Sequence, residues 1–237
     1  MRSKSGAGYD SNAEKQRDYR NVVFTQAVLV AIALLLEDFI DLFGGNSQRQ
    51  FFYSAFLVLA TIYYYLIWDL VRNFVKNRVM VYGLLVLMVV DFGTLFIAEF
   101  PFGKIISDPS PYLIMVHSIL FLTEMYVMYH VFTDIFGKNE VSFSKLWGSV
   151  GLFIMMAIAF ASIYEVINMV VPGSFGVPLE VGFPTFSESL YFSLVTISGG
   201  APLLPDISHL VRDVAAIEGV LGTLYLVILI GRIIGRV

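Results

Sequence analysis

Six apolar runs of about twenty residues, near positions 21–43, 51–71, 79–100, 112–136, 146–171 and 213–235, leave this chain few ways to fold. Crossing a hydrocarbon core of about 30 Å takes about twenty helical residues. Within lipid, every backbone N–H and C=O must be bonded inside the protein, so a run of that length becomes a helix. The expected class is therefore an all-α membrane protein with six transmembrane helices. Composition agrees: 14% of the residues are charged, where a soluble domain has about 25%. The first run is no cleaved signal, because it is long, carries Glu37, Asp38 and Asp41 near its end, and has no small-residue cleavage site after it.

The connections fix an expected orientation. With the N-terminus inside, Arg2, Lys4, Lys15, Arg17, Arg20, Arg72, Lys76, Arg78, Lys138, Lys145, Arg232 and Arg236 lie on the inner side, and Arg49, Lys104 and Arg212 outside. Since cytoplasmic loops are enriched in Lys and Arg, the split makes both termini cytoplasmic in a multi-pass protein of the cell membrane. The first twenty residues read as a flexible tail or short surface helix. With no cysteine in the chain, disulfides, thiolate metal sites and thiol catalysis are excluded.

Between the last two runs lies a shorter one. Thr185 and Glu188 have the spacing of a capping box, and Ser198-Gly199-Gly200 is a break rich in small residues. About eleven residues fit between, a helix of about 16 Å at 1.5 Å per residue. That is near half of the roughly 30 Å core, so the segment enters a bilayer and has to turn back. Irregular backbone at that depth needs a protein or water lining, which implies a cavity. The C-terminal end near Thr196 and Ile197 carries the negative pole of the helix dipole, and carbonyls left free there would favour cations.

The stretch Glu188-Ser-Leu-Tyr-Phe-Ser-Leu-Val-Thr196, followed by Arg212-Asp-Val-Ala-Ala-Ile-Glu218-Gly219-Val-Leu-Gly222-Thr-Leu-Tyr225, resembles the pore helix and inner helix of the potassium-channel superfamily. The resemblance covers about fifty residues; the four upstream helices match that superfamily in number and topology, not in motif. It implies a voltage-gated-like channel architecture: a re-entrant pore helix and filter loop in each subunit of a homotetramer, around a central pore. A closed ring is also what a single half helix and inner helix need to enclose a pathway. The division that follows is a tail over 1–20, a four-helix sensor-like domain over 21–137 and a pore domain over 138–237. The family's Thr-Val-Gly-Tyr-Gly-Asp filter is replaced here by Thr196-Ile-Ser-Gly-Gly-Ala-Pro202, so its stack of potassium sites does not carry over residue by residue.

The filter candidates are Thr196, Ile197, Ser198, Gly199, Gly200 and Ala201. Gly199 and Gly200 can take positive φ and turn carbonyls inward, and Thr196 and Ser198 add hydroxyls. Neutral oxygens of this kind suit monovalent cations. Asp206 is the candidate at the outer mouth. Glu165, Glu188 and Glu218 fall at outer-leaflet depth around the loop and are candidates for bracing it, with Arg212 as partner. Gly219 and Gly222 are candidates for a hinge or for close helix packing. On helix four, His117 and Glu124 are seven apart on one face, and His130 lies four residues before Asp134; these are candidates for pH sensing. Asp91 and Glu124 are the deepest acids.

From Ile105 to Gly137 there is no Lys or Arg, so the steep voltage sensing that needs helix-four arginines is not expected. Two rivals come from other classes. Ser198 with His209 superficially offers a protease pair, but the His follows by only eleven residues in the same loop. A secondary transporter would have interrupted helices in both halves, and only the C-terminal half has one; a third reading is an electrically silent channel-like subunit or sensor. The reading is a tetrameric channel passing potassium, or potassium and sodium without discrimination. We expect no enzymatic role, metal, cofactor or nucleic-acid partner; the lipid bilayer and the permeant cations are its partners.

Overall fold

The computed structural model describes residues 12–43, 46–99, 105–137, 142–177, 179–200 and 206–234. Seven helices and no strand occur among them: α1 (Asn12–Phe43), α2 (Asn46–Phe74), α3 (Arg78–Ala98), α4 (Ser110–Phe136), α5 (Phe143–Val170), α6 (Phe183–Ile197) and α7 (His209–Ile234). All except α6 are long and apolar enough to cross a membrane, which makes this a multi-pass helical membrane protein.

Helix α5 is the hub, packing against α4, α1, α6 and α7. Its residues are 61% buried across the apolar window, against 17% for α3 and α7. The reason is its small residues: Gly148, Ser149, Gly151, Ala157, Ala159, Ala161 and Ser162 are all buried, and small side chains let membrane helices approach closely. Gly148 receives the ring of Tyr19, 3.1 Å from where a Cβ would stand.

That contact changes the reading of the N-terminus. Residues 12–20 continue α1 without a break instead of forming a separate tail or surface helix. Tyr19 is 2% exposed and its hydroxyl donates to Asp134 Oδ2 at 3.0 Å, while Lys15 pairs with the other oxygen of the same carboxylate. These anchors to α4 hold the polar extension of α1 in place. In the α3–α4 connection, Asp108 accepts the Ser110 N–H at 3.1 Å. Its hydrogen bonds from Ser110 hold the exposed carboxyl below its ordinary pKa.

Helix α6 has 15 residues, about 22 Å. Gly182 precedes it at φ 116°, and a Cβ there would lie 2.6 Å from Glu99 Oε1. Pro184 occupies the first turn, where its missing N–H costs nothing. The helix thus starts before Thr185, and the expected capping box does not form. Thr185 Oγ1 donates back to Glu180 O, and Glu188 is exposed. Phe183 and Phe186 pack the first turn onto α2, with ring centroids 4.6 Å and 6.2 Å from that of Phe56.

Candidate functional site

The depth reached by α6 follows from three contacts. Ser193 Oγ donates to Ala157 O at 2.8 Å, and Ala157 stands midway along α5. Gly222, midway along α7, meets the last residue of α6 so closely that a Cβ would lie 2.4 Å from Ile197 O. Just before α7, the Ser208 N–H donates to Ser174 O at 2.8 Å, beyond the C-terminal end of α5. The start of α6 lies beside Glu99, at the same end of the bundle as Ser174. The start of α6 and the start of α7 therefore lie at one end of the bundle, and the end of α6 lies level with the middle of its neighbours.

Helix α6 stops in a Schellman arrangement. Gly199, at φ 84°, donates its N–H to Thr196 O at 3.0 Å, and Gly200 donates to Val195 O at 2.8 Å. A left-handed residue after the last helical one is what this double closure requires, and glycine takes it without strain. Two of the carbonyls expected to be free at this end are thus engaged by the chain itself. The hydroxyls also turn inward: Thr196 Oγ1 donates to Phe192 O and Ser198 Oγ to Val195 O, both at 2.8 Å.

Of the filter candidates, Thr196 and Ile197 are buried and Ser198, Gly199 and Gly200 exposed; Ala201 lies outside the described residues, as does Pro202. Thr196, Gly199 and Gly200 line an open groove of ≈ 610 Å³ against Arg212, Gly219 and Thr223 of α7. Asp206 is exposed, at φ 58°.

The bracing candidates separate. Glu218 of α7 is fully buried and accepts the Tyr164 hydroxyl of α5 at 2.6 Å; Ser193 Oγ of α6 touches its other oxygen. One carboxyl group thus joins three helices. Ser193 has a single hydroxyl proton and faces two oxygens, Ala157 O and Glu218 Oε1. Glu165 lies instead in the other wall of α5, against His117, with Nε2 and Oε2 3.0 Å apart. Arg212 braces none of the three glutamates: its guanidinium is exposed, 2.6 Å from His209 Nδ1 and 3.8 Å from Asp213. It sits on the first turn of α7, three residues from His209, and so reaches its own helix first.

Gly219 and Gly222 differ as well. At Gly219 a Cβ would meet Thr196 O at an ordinary 3.7 Å, whereas Gly222 has no room for one, which makes Gly222 a close-packing position. His117 and Glu124 do not meet. Seven residues are about 10.5 Å along a helix, beyond hydrogen-bond reach. Glu124 accepts the Tyr63 hydroxyl at 2.6 Å, and Tyr64 donates to Asp91 Oδ2 at 2.7 Å. His130 packs edge-on against Tyr126 and Tyr129, at 4.8 and 5.4 Å, while Asp134 is engaged by Lys15 and Tyr19. Of the protease rival's two residues, Ser198 donates its hydroxyl to Val195 O and His209 lies against Arg212. Among the described residues no cluster of three or more His, Cys, Asp or Glu is close enough to hold a metal ion.

No family model, curated protein or solved structure matches this chain. Function therefore rests on the geometry. Tyr164, Ser193, Tyr63 and Tyr64, none of them expected from sequence to pair with a buried acid, carry much of it. The available signal was that a carboxyl group inside lipid must find donors, and hydroxyl residues on the neighbouring helices are the donors within reach.

Proposed function

We propose that this chain is one subunit of a cation channel in the cell membrane, with α6 as its re-entrant pore helix and residues 196–201 as the filter. The observation that carries the reading is the excursion of α6 to mid-depth and the return of the chain to the same end before α7. In a bilayer this brings the negative end of the α6 dipole and the small residues after it inside the membrane, where a cation gains most from them. The resemblance of 188–196 and 212–225 to a pore helix and inner helix supports the same assignment. With both termini cytoplasmic, the Glu99 end is the outer one and Asp206 stands near the mouth. Four subunits closing around the groove between α6 and α7 would give the pathway. The apolar face of α7, with Ile217, Val220, Leu221 and Leu224 exposed, is available for such contacts or for lipid. Transport would be passive and only weakly voltage-dependent.

One observation favours a second reading, an electrically silent channel-like subunit: the Val195 and Thr196 carbonyls are taken by Gly200 and Gly199. Recording the purified protein in planar bilayers separates the two. Unitary cation currents under bi-ionic potassium and sodium are the expected result, a reversal near zero meaning no discrimination and a large shift meaning potassium selectivity. Folded, membrane-inserted protein that gives no unitary current would select the silent subunit.

A further inference from the structure

A second space lies away from the groove, inside the bundle where α1, α2, α4 and α5 meet the start of α6; it measures ≈ 70 Å³. The rings of Tyr53, Phe56, Phe183 and Phe186 line it, together with Glu99, His117 and Glu165. No Lys or Arg is among its described lining residues. The single base, His117, is 6% exposed, pairs through Nε2 with Glu165 Oε2 at 3.0 Å and stacks on Phe186 with centroids 5.7 Å apart. Its Nδ1 has no hydrogen-bond partner among the described residues, nor has Oδ1 of Asp91 or Oε2 of Glu124 behind the wall.

These facts define a ligand chemistry. Two carboxyl groups on the wall face one imidazole, so the space has hydrogen-bond acceptors to spare, which the N–H groups of an ammonium ion can fill. Aromatic faces around such a space attract a cation further, most strongly where water is excluded. Apolar residues, Leu29, Leu57 and Leu113 among them, line the rest and suit hydrocarbon better than a hydrated metal ion. At about 10–15 Å³ per water-sized group in this measure, the volume fits an ammonium head with a few carbons.

We propose that this cavity binds a small alkylammonium ion, its head between Glu99 and Glu165 and its carbons against the rings of α2 and α6. The site does not depend on the channel reading, because neither Glu99 nor the α2 rings belong to the groove. Gly182, Phe183 and Phe186 all line it, so an occupant also touches the first turn of α6 and steadies it.

The test is thermal unfolding and titration calorimetry of the full chain in detergent, with n-butylammonium chloride as probe, 1-butanol as its uncharged analogue and sodium chloride matched for ionic strength. A saturable rise in Tm with butylammonium alone is expected. Apparent affinity should fall at least tenfold in Glu165→Gln and in Glu99→Gln, and stay unchanged in Asp213→Asn. Should Glu165→Gln fail to fold, Glu99→Gln at the half-buried rim decides the matter. An equal response to 1-butanol, no saturable response to butylammonium, or undiminished affinity in the folded glutamine variants would overturn the proposal.

Discussion

The two ends of α6 are held by different physics. Its first turn is wedged among aromatic rings of α2 and the imidazole of α4, so shape and apolar burial fix it. Its last turn closes on itself through Gly199 and Gly200 and lies directly against Gly222, so backbone geometry fixes it. The first end should respond to lost volume and the second to added volume.

Substitutions at Phe186, at the three glycines Gly222, Gly219 and Gly199, and at the Tyr164–Glu218 pair probe that contrast, each read by thermal or denaturant unfolding in detergent. Phe186→Ala removes a ring that contacts both Phe56 and His117 and should cost about 3 kcal/mol, as for a truncated buried aromatic; a cost below that of the glycine changes would mean that the rings do not hold the first turn. Gly222→Val should cost about 2 kcal/mol by overpacking, while Gly219→Ala, where the contact is ordinary, should be nearly neutral. The reverse order would break the claim that α6 and α7 meet at Gly222. Gly199→Ala should cost about 1.5 kcal/mol for a left-handed residue, with Gly199→Asn milder; equal tolerance of both would remove the Schellman closure as the holder of this end. The coupling between Tyr164→Phe and Glu218→Gln in a double-mutant cycle should be small, about 0.6 kcal/mol, because unfolded helices in a membrane also find polar partners. Strict additivity would leave the three-helix junction without energetic content.

Sequence made the spans legible and their partners much less so. The six apolar runs locate the long helices to within a few residues at most ends, because lipid forces each run to satisfy its own backbone. The start of α1 was hidden because polar composition along 12–20 suggests solvation, and only the fold brings Asp134 and Gly148 to Lys15 and Tyr19. Thr185 and Glu188 misled for a related reason: a capping motif is a local possibility, and Pro184 two residues into the helix had already set its start. His117 and Glu124 share a helix face, yet each is claimed by a residue from another helix, Glu165 and Tyr63. Arg212 shows the opposite case, a charge expected to act across helices that stays with His209 and Asp213 on its own. Spacing along one helix shows which side chains are level with each other; the neighbours they meet depend on packing.

The backbone bond from Ser208 to Ser174 brings the two feet of the α6 excursion together. Everything between them is a side trip from a path that would otherwise run from α5 into α7. Loop-closure cost rises by only about 0.6 kcal/mol for each doubling of length, so residues can be added or lost between Gly200 and Asp206 with little strain on the two long helices. The proposed filter segment is thus also one whose length the scaffold leaves free to change.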